Sequence, residues 1–165
     1  MLEKDSRYSF SRLWLAVIAV TSLLTAFLTM LKVENGFFFT AFVPTEVALQ
    51  NIYGLNSFFN DTVFFVLCFL VILLYYVVYV MSKNSKKWLL AGFFLYLADT
   101  ACMVYYIWRA GFNQAWILEL VAHVVILGFL LYGYFRAGKL ERLERENAIM
   151  KVDRKYLMEF EVSDD

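Results

Sequence analysis

The sequence predicts an all-α fold: an integral membrane four-helix bundle with an outer interfacial segment and a cytoplasmic C-terminal helix. Three observations carry that prediction. Hydrophobic residues make up 62% of the 165 residues, against a usual apolar share of roughly 45–50%, and a soluble domain this small cannot hide so much apolar surface in one core. Four apolar stretches approach the length of about 20 residues that crosses a hydrocarbon layer of roughly 30 Å. Lys and Arg are distributed around those stretches with a strong bias to one side.

The first stretch, 13–31, follows Arg7 and Arg12 and runs to Leu31 with no small-x-small cleavage site, so it reads as a retained signal anchor. The others are 62–81, 88–108 and 115–135, each bounded by charged or strongly polar residues. Helices are expected because a span must satisfy every backbone polar group internally. Of the 15 basic residues, only Lys32 and Arg109 fall outside if the N-terminus lies inside. Both termini are therefore expected in the cytoplasm. The membrane itself is expected to be a plasma membrane, specifically a bacterial inner membrane.

The connections divide into two kinds. Ser82–Lys87 and Arg109–Gln114 are tight turns, which makes helices two, three and four a compact antiparallel meander and leaves helix one apart. The outer loop, 32–61, is long and apolar, with Phe37, Phe38, Phe39 and Phe42 among its residues. Pro44, Thr45 and Glu46 suit a first helical turn, so a short helix over 44–53 is expected on the outer membrane surface. The chain thus divides into a spanning unit, 1–137, and a charged helical tail, 138–165. In the tail, Leu140, Leu143, Asn147, Met150 and Leu157 follow a heptad spacing broken by Arg154. They are candidates for an oligomer or partner contact, with Asn147 able to set register. A solvated continuation of helix four, laced by pairs such as Glu141–Arg145, is the alternative.

Ionisable residues inside a span are the sharpest functional clue, since one at a helix centre costs about 2.5–3.5 kcal/mol on insertion scales. Asp99, Glu119 and His123, the only histidine, qualify. Residues equally far from the turn joining helices three and four face one another, which aligns Asp99 with His123. Glu119 lies one turn from His123 on the same face. Tyr96 and Tyr106 reach the same region. The same logic brings Cys68 and Cys102 to one depth, where buried thiols usually pack rather than react. Thr21, Thr25 and Thr29, spaced by four beside Ser22, mark a helix-packing stripe. Tyr75, Tyr76 and Tyr79, with Tyr132, Tyr134, Trp88 and Trp108, read as aromatic belts at the membrane interfaces.

No Walker A loop, Gly-x-Ser-x-Gly elbow or His-Glu-x-x-His motif occurs. The polar set is too poor in soft ligands for a metal site, and no cofactor is expected. Acids interleave with the tail's basic residues, which argues against nucleic acid. The partners expected are the lipid bilayer and either further copies of this chain or another membrane subunit. The function expected is that of a non-enzymatic subunit or interaction component of a membrane assembly. The alternative is an oligomeric ion or proton channel, or a small transporter, built on Asp99, Glu119 and His123.

Overall fold

The structure, a computed structural model, describes residues 5–31, 39–46, 61–111 and 114–162, with residues 30, 61–65, 110, 114, 115 and 152–162 described by backbone alone. Four long helices account for most of it: α1 (Ser6–Met30), α2 (Asp61–Met81), α3 (Lys86–Ala110) and α4 (Gln114–Val162). No strand occurs among the described residues. Three of the helices contain segments long and apolar enough to cross a membrane: Ser6–Thr29, Lys86–Arg109 and Trp116–Lys151. The described apolar part of α2, Val66–Met81, is shorter.

Local chemistry sets the helix ends. The Asp5 side chain accepts the Tyr8 N–H at 2.9 Å and starts α1, satisfying one of the amides that a helix N-terminus leaves open. Ser85 does the same for α3 through the Lys87 N–H. Gly111 ends α3 at φ 96°, a conformation that a side chain would make costly. α4 runs 49 residues without a break, about 74 Å at 1.5 Å per residue. Span and tail are therefore one rod, with no discontinuity at 137/138.

The packing is a ring in which α1 touches α2 and α4, and α3 touches α2 and α4. Helix one does not stand apart as the loop lengths suggested. Apolar side chains from all four helices fill the interior, among them Leu15 and Ile18, Ile72 and Val78, Leu89, and Ile126 and Leu130. Two glycines bring backbones together. A Cβ on Gly133 would collide with the Ser11 side chain and sit 2.9 Å from Leu89 Cδ2, while one on Gly92 would meet Leu15 Cδ2 at 2.8 Å. Such close approach is the usual office of small residues between apolar helices.

The outward faces are apolar too. Phe27, Phe69, Phe94, Leu118 and Val124 are all exposed. A water-soluble monomer seldom exposes apolar surface on this scale. Together with the three long apolar helices, these faces fit a small membrane protein.

The aromatic belt needs correction at one residue. Tyr75 is fully buried whereas Tyr76 is exposed and Tyr79 half-buried. Successive helical residues point about 100° apart, so three tyrosines at 75, 76 and 79 cannot share one interface role. The cysteines also separate. Cys68 is buried and Cys102 exposed, so the two thiols sit in different surroundings.

Candidate functional site

The polar residues meet midway along the helices, around Asp99 near the midpoint of α3. One carboxylate oxygen, Oδ2, accepts the Phe42 N–H at 2.7 Å, and Oδ1 accepts the Val43 N–H at 2.8 Å. His123 of α4 sets Nε2 3.5 Å from the same Oδ2. This is the pair that equal distance from the α3–α4 turn predicts. Asp99 is 5% exposed and His123 fully buried, so a charge here has no water to rely on and needs these donors.

The donors come from a segment that the sequence assigned to the membrane surface. Residues 39–46 run inward between the helices instead. Thr40, Ala41, Phe42 and Pro44 are all buried. A helical turn occupies 42–46 and begins two residues before Pro44; 47–53, the rest of the expected helix, lie outside the described residues. Backbone buried outside regular structure must find partners for its polar groups. Side chains of α1, α2 and α3 supply them. The Ser22 hydroxyl accepts the Ala41 N–H at 2.7 Å. The Thr21 hydroxyl lies 2.8 Å from the Phe39 carbonyl and 2.7 Å from its own Val17 carbonyl, and its single proton serves one of them at a time. The Cys68 thiol donates to the Pro44 carbonyl at 3.3 Å. Asp99 supplies the remaining two acceptors. Phe42 then packs on Tyr106 and Trp116, with ring centroids at 5.5 and 6.1 Å.

The threonine stripe therefore divides its work. Thr21 with Ser22 holds the inserted segment, while Thr29 bonds back to the Thr25 carbonyl at 2.8 Å along its own helix. Thr25 and Thr29 are buried.

His123 is oriented by its other nitrogen. Nδ1 lies 2.9 Å from the Glu119 carbonyl oxygen. A carbonyl only accepts, so Nδ1 carries a proton. A neutral ring then turns the Nε2 lone pair toward Asp99, and only a second proton makes that contact attractive. Nε2 has no hydrogen-bond partner among the described residues, and neither do the buried hydroxyls of Tyr75 and Tyr96. The three are linked by ring contacts: Tyr96 stacks on His123 (centroids 4.8 Å, interplanar angle 7°) and meets Tyr75 edge-on at 6.2 Å. Glu119 is half-buried and contributes its backbone carbonyl rather than its carboxylate. Tyr106 is half-buried and interacts with Glu46.

A second polar cluster escaped sequence reasoning. Arg12, read there as an orienting charge, is 7% exposed near the N-terminal end of α1. Its Nε donates to Ser82 Oγ at 2.9 Å, and a terminal nitrogen donates to the Tyr79 carbonyl at 3.2 Å. The Tyr8 hydroxyl donates to the Ser82 carbonyl at 2.6 Å. Together they cap the C-terminus of α2, where carbonyls lack helical partners and the dipole favours a cation. The signal available in the sequence was the i, i+4 spacing of Tyr8 and Arg12, one turn inside an apolar helix. Nearby, Arg136 of α4 binds Asp5 with a terminal nitrogen at 2.9 Å.

In the tail, Leu143, Asn147 and Met150 are exposed and Leu140 is half-buried. The Leu157 side chain lies outside the described residues. No group of three or more metal-ligating side chains occurs among the described residues. Compared with known proteins, the chain matches no family model, no curated protein and no solved structure.

Proposed function

We propose that the chain is a four-span membrane protein of the bacterial inner membrane, with both termini cytoplasmic. On this reading it works without catalysis, as a subunit or interaction component of a membrane assembly. The observation that supports this most directly is the engagement of Asp99. Both of its oxygens are taken by backbone amides of the inserted segment. A carboxylate used that way is an internal strut, and removing one acceptor strands a buried N–H at a cost of about 1–3 kcal/mol. The contact with the partner then falls to the exposed tail, where Leu143, Asn147 and Met150 share the face expected of a helix–helix seam.

The test is the oligomeric state of the detergent-purified chain with and without the residues after Lys139. Loss of self-association or of a co-purifying membrane subunit on truncation is the expected result. An unchanged state rejects the tail as the contact.

A second reading, a proton or ion pathway, is favoured by the Tyr75 and Tyr96 hydroxyls and His123 Nε2 beside Asp99, which have no hydrogen-bond partner among the described residues. Relays of carboxylate, imidazole and phenol are a common use of polar groups inside membranes. Liposome flux that is abolished by Asp99→Asn and by His123→Ala would support it. Absent flux, or flux indifferent to both changes, would remove it.

A further inference from the structure

We propose that a groove between the start of α3 and the middle of α4 binds the phosphate-bearing headgroup of an anionic phospholipid. The inference rests on the membrane reading above, with this end of the helices on the cytoplasmic side. The groove encloses about 650 Å³ and is lined by Lys86 at the start of α3 and by one face of α4. Four cations line it, Lys86, Lys139, Arg142 and Arg145, against the single carboxylate of Glu141. Lys86 and Glu141 pair with each other across the groove. Lys139, Arg142 and Arg145 have no ion-pair partner among the described residues. The groove therefore keeps a local excess of three positive charges in a chain whose net charge is zero.

Its position matters as much as its sign. Lys139, Arg142 and Arg145 recur at intervals of three along α4, so they stay on one side of the rod. Directly before them, Tyr134 and Phe135 line the same groove, and Phe135 is exposed. Apolar and aromatic wall thus passes into basic wall within one helical turn, at the point where α4 leaves the expected span. Acyl chains would lie along the first and a phosphate among the second. Basic pockets between helices on the cytoplasmic side of a membrane are suited to acidic headgroups, and Arg offers its donors in a fork that matches phosphate oxygens. Gly138 forms the floor: a Cβ there would meet Lys86 Nζ at 3.7 Å, ordinary contact, so a larger side chain would fill the groove without forcing the helices apart.

The experiment is native mass spectrometry of the full chain, released from detergent with phosphatidylglycerol or phosphatidylcholine added in equal amounts. Wild-type protein is expected to retain phosphatidylglycerol about tenfold or more over phosphatidylcholine. The preference should weaken in high salt. Lys139→Gln/Arg142→Gln/Arg145→Gln should lose it, and so should Gly138→Leu, which keeps every charge but fills the space. Equal retention of the two lipids by wild type overturns the proposal, as does a preference that survives either variant. Glycerol 3-phosphate displacing the lipid at millimolar concentration would assign the groove to a soluble anion and overturn the lipid assignment. Alkaline carbonate extraction of membranes separates this from the parent reading. Release of the chain would bring down both. A chain that stays in the membrane yet shows no lipid preference would bring down the groove alone.

Discussion

The α2 C-terminus and the inserted segment 39–46 face the same difficulty in opposite sign. At the first, carbonyls of Tyr79 and Ser82 project beyond the last turn of a helix, and the protein buries a cation, Arg12, and a phenol, Tyr8, against them. At the second, the amides of Phe42 and Val43 open a helical turn, and the protein buries an anion, Asp99, against them. In each case the buried charge matches the helix end it faces, because free carbonyls carry negative and free amides positive partial charge. The two also differ in completeness. Arg12 is held by two hydrogen bonds and lies over the rings of Tyr79 and Tyr8, at 5.3 and 5.9 Å from the centroids. Around Asp99 three polar atoms have no partner among the described residues. The Arg12 cluster is a closed joint, while the Asp99 cluster keeps open hydrogen-bonding capacity among the described residues.

The largest expected effect falls on the middle cluster. Asp99→Leu removes the acceptors of the Phe42 and Val43 amides, and stranding a buried N–H costs about 1–3 kcal/mol each. Thermal unfolding in detergent should register the loss, and hydrogen exchange should show the Phe42 and Val43 amides deprotected while the α1–α2 joint stays intact. Exchange that rises equally at both clusters would mean that they are not independent. Arg12→Met makes the reciprocal cut. Hydrogen bonds to charged groups contribute about 1.5–3 kcal/mol, so the change should be of that size and should leave the amides of 42 and 43 protected.

Gly133→Val sharpens the comparison through packing rather than charge. Its side chain would drive α4 against Ser11, the neighbour of Arg12, and overpacking costs about 1–3 kcal/mol. Disturbance is expected at the α1–α2 joint first. Stability unchanged by the valine would show that α1 and α4 are less closely seated than described.

The smallest effect concerns Asp5. Its hydrogen bond from Arg136, aided by the Tyr8 N–H, holds its carboxyl below the ordinary aspartate value. A pKa depressed by folding gives stability that is complete above the unfolded value of about 3.9 and is lost as pH falls through the lower folded value. A small decline below about pH 4 is therefore expected in unfolding curves, and Asp5→Asn should abolish it. Because the pair is partly exposed, 0.5 M salt should blunt the effect as well.

Much of this architecture is legible from residue order. Apolar run lengths mark the helices, and distance from the α3–α4 turn pairs Asp99 with His123, because antiparallel helices of equal rise keep depth in step. What the residue order did not reveal was why Asp99 is buried. Phe42 and Val43 advertise nothing: their contribution is backbone N–H, which every residue but proline carries. Tyr75 looked like its neighbour Tyr76 until the rotation of α2 turned one inward and the other out. Arg12 looked like a topological signal because a basic residue beside a span commonly is one.

The sequence by itself determined an all-helical chain, its apolar stretches and the uneven distribution of positive charge between them. These follow from local composition and a repeat of 3.6 residues, properties that any window of the chain carries within itself. Only the tertiary structure decided that α1 closes a ring, that residues 39–46 turn inward, and that Asp99 and Arg12 serve as acceptor and donor for stranded backbone. Those outcomes depend on which buried polar groups come within hydrogen-bonding reach of one another, and that is a property of packing between segments far apart in the chain.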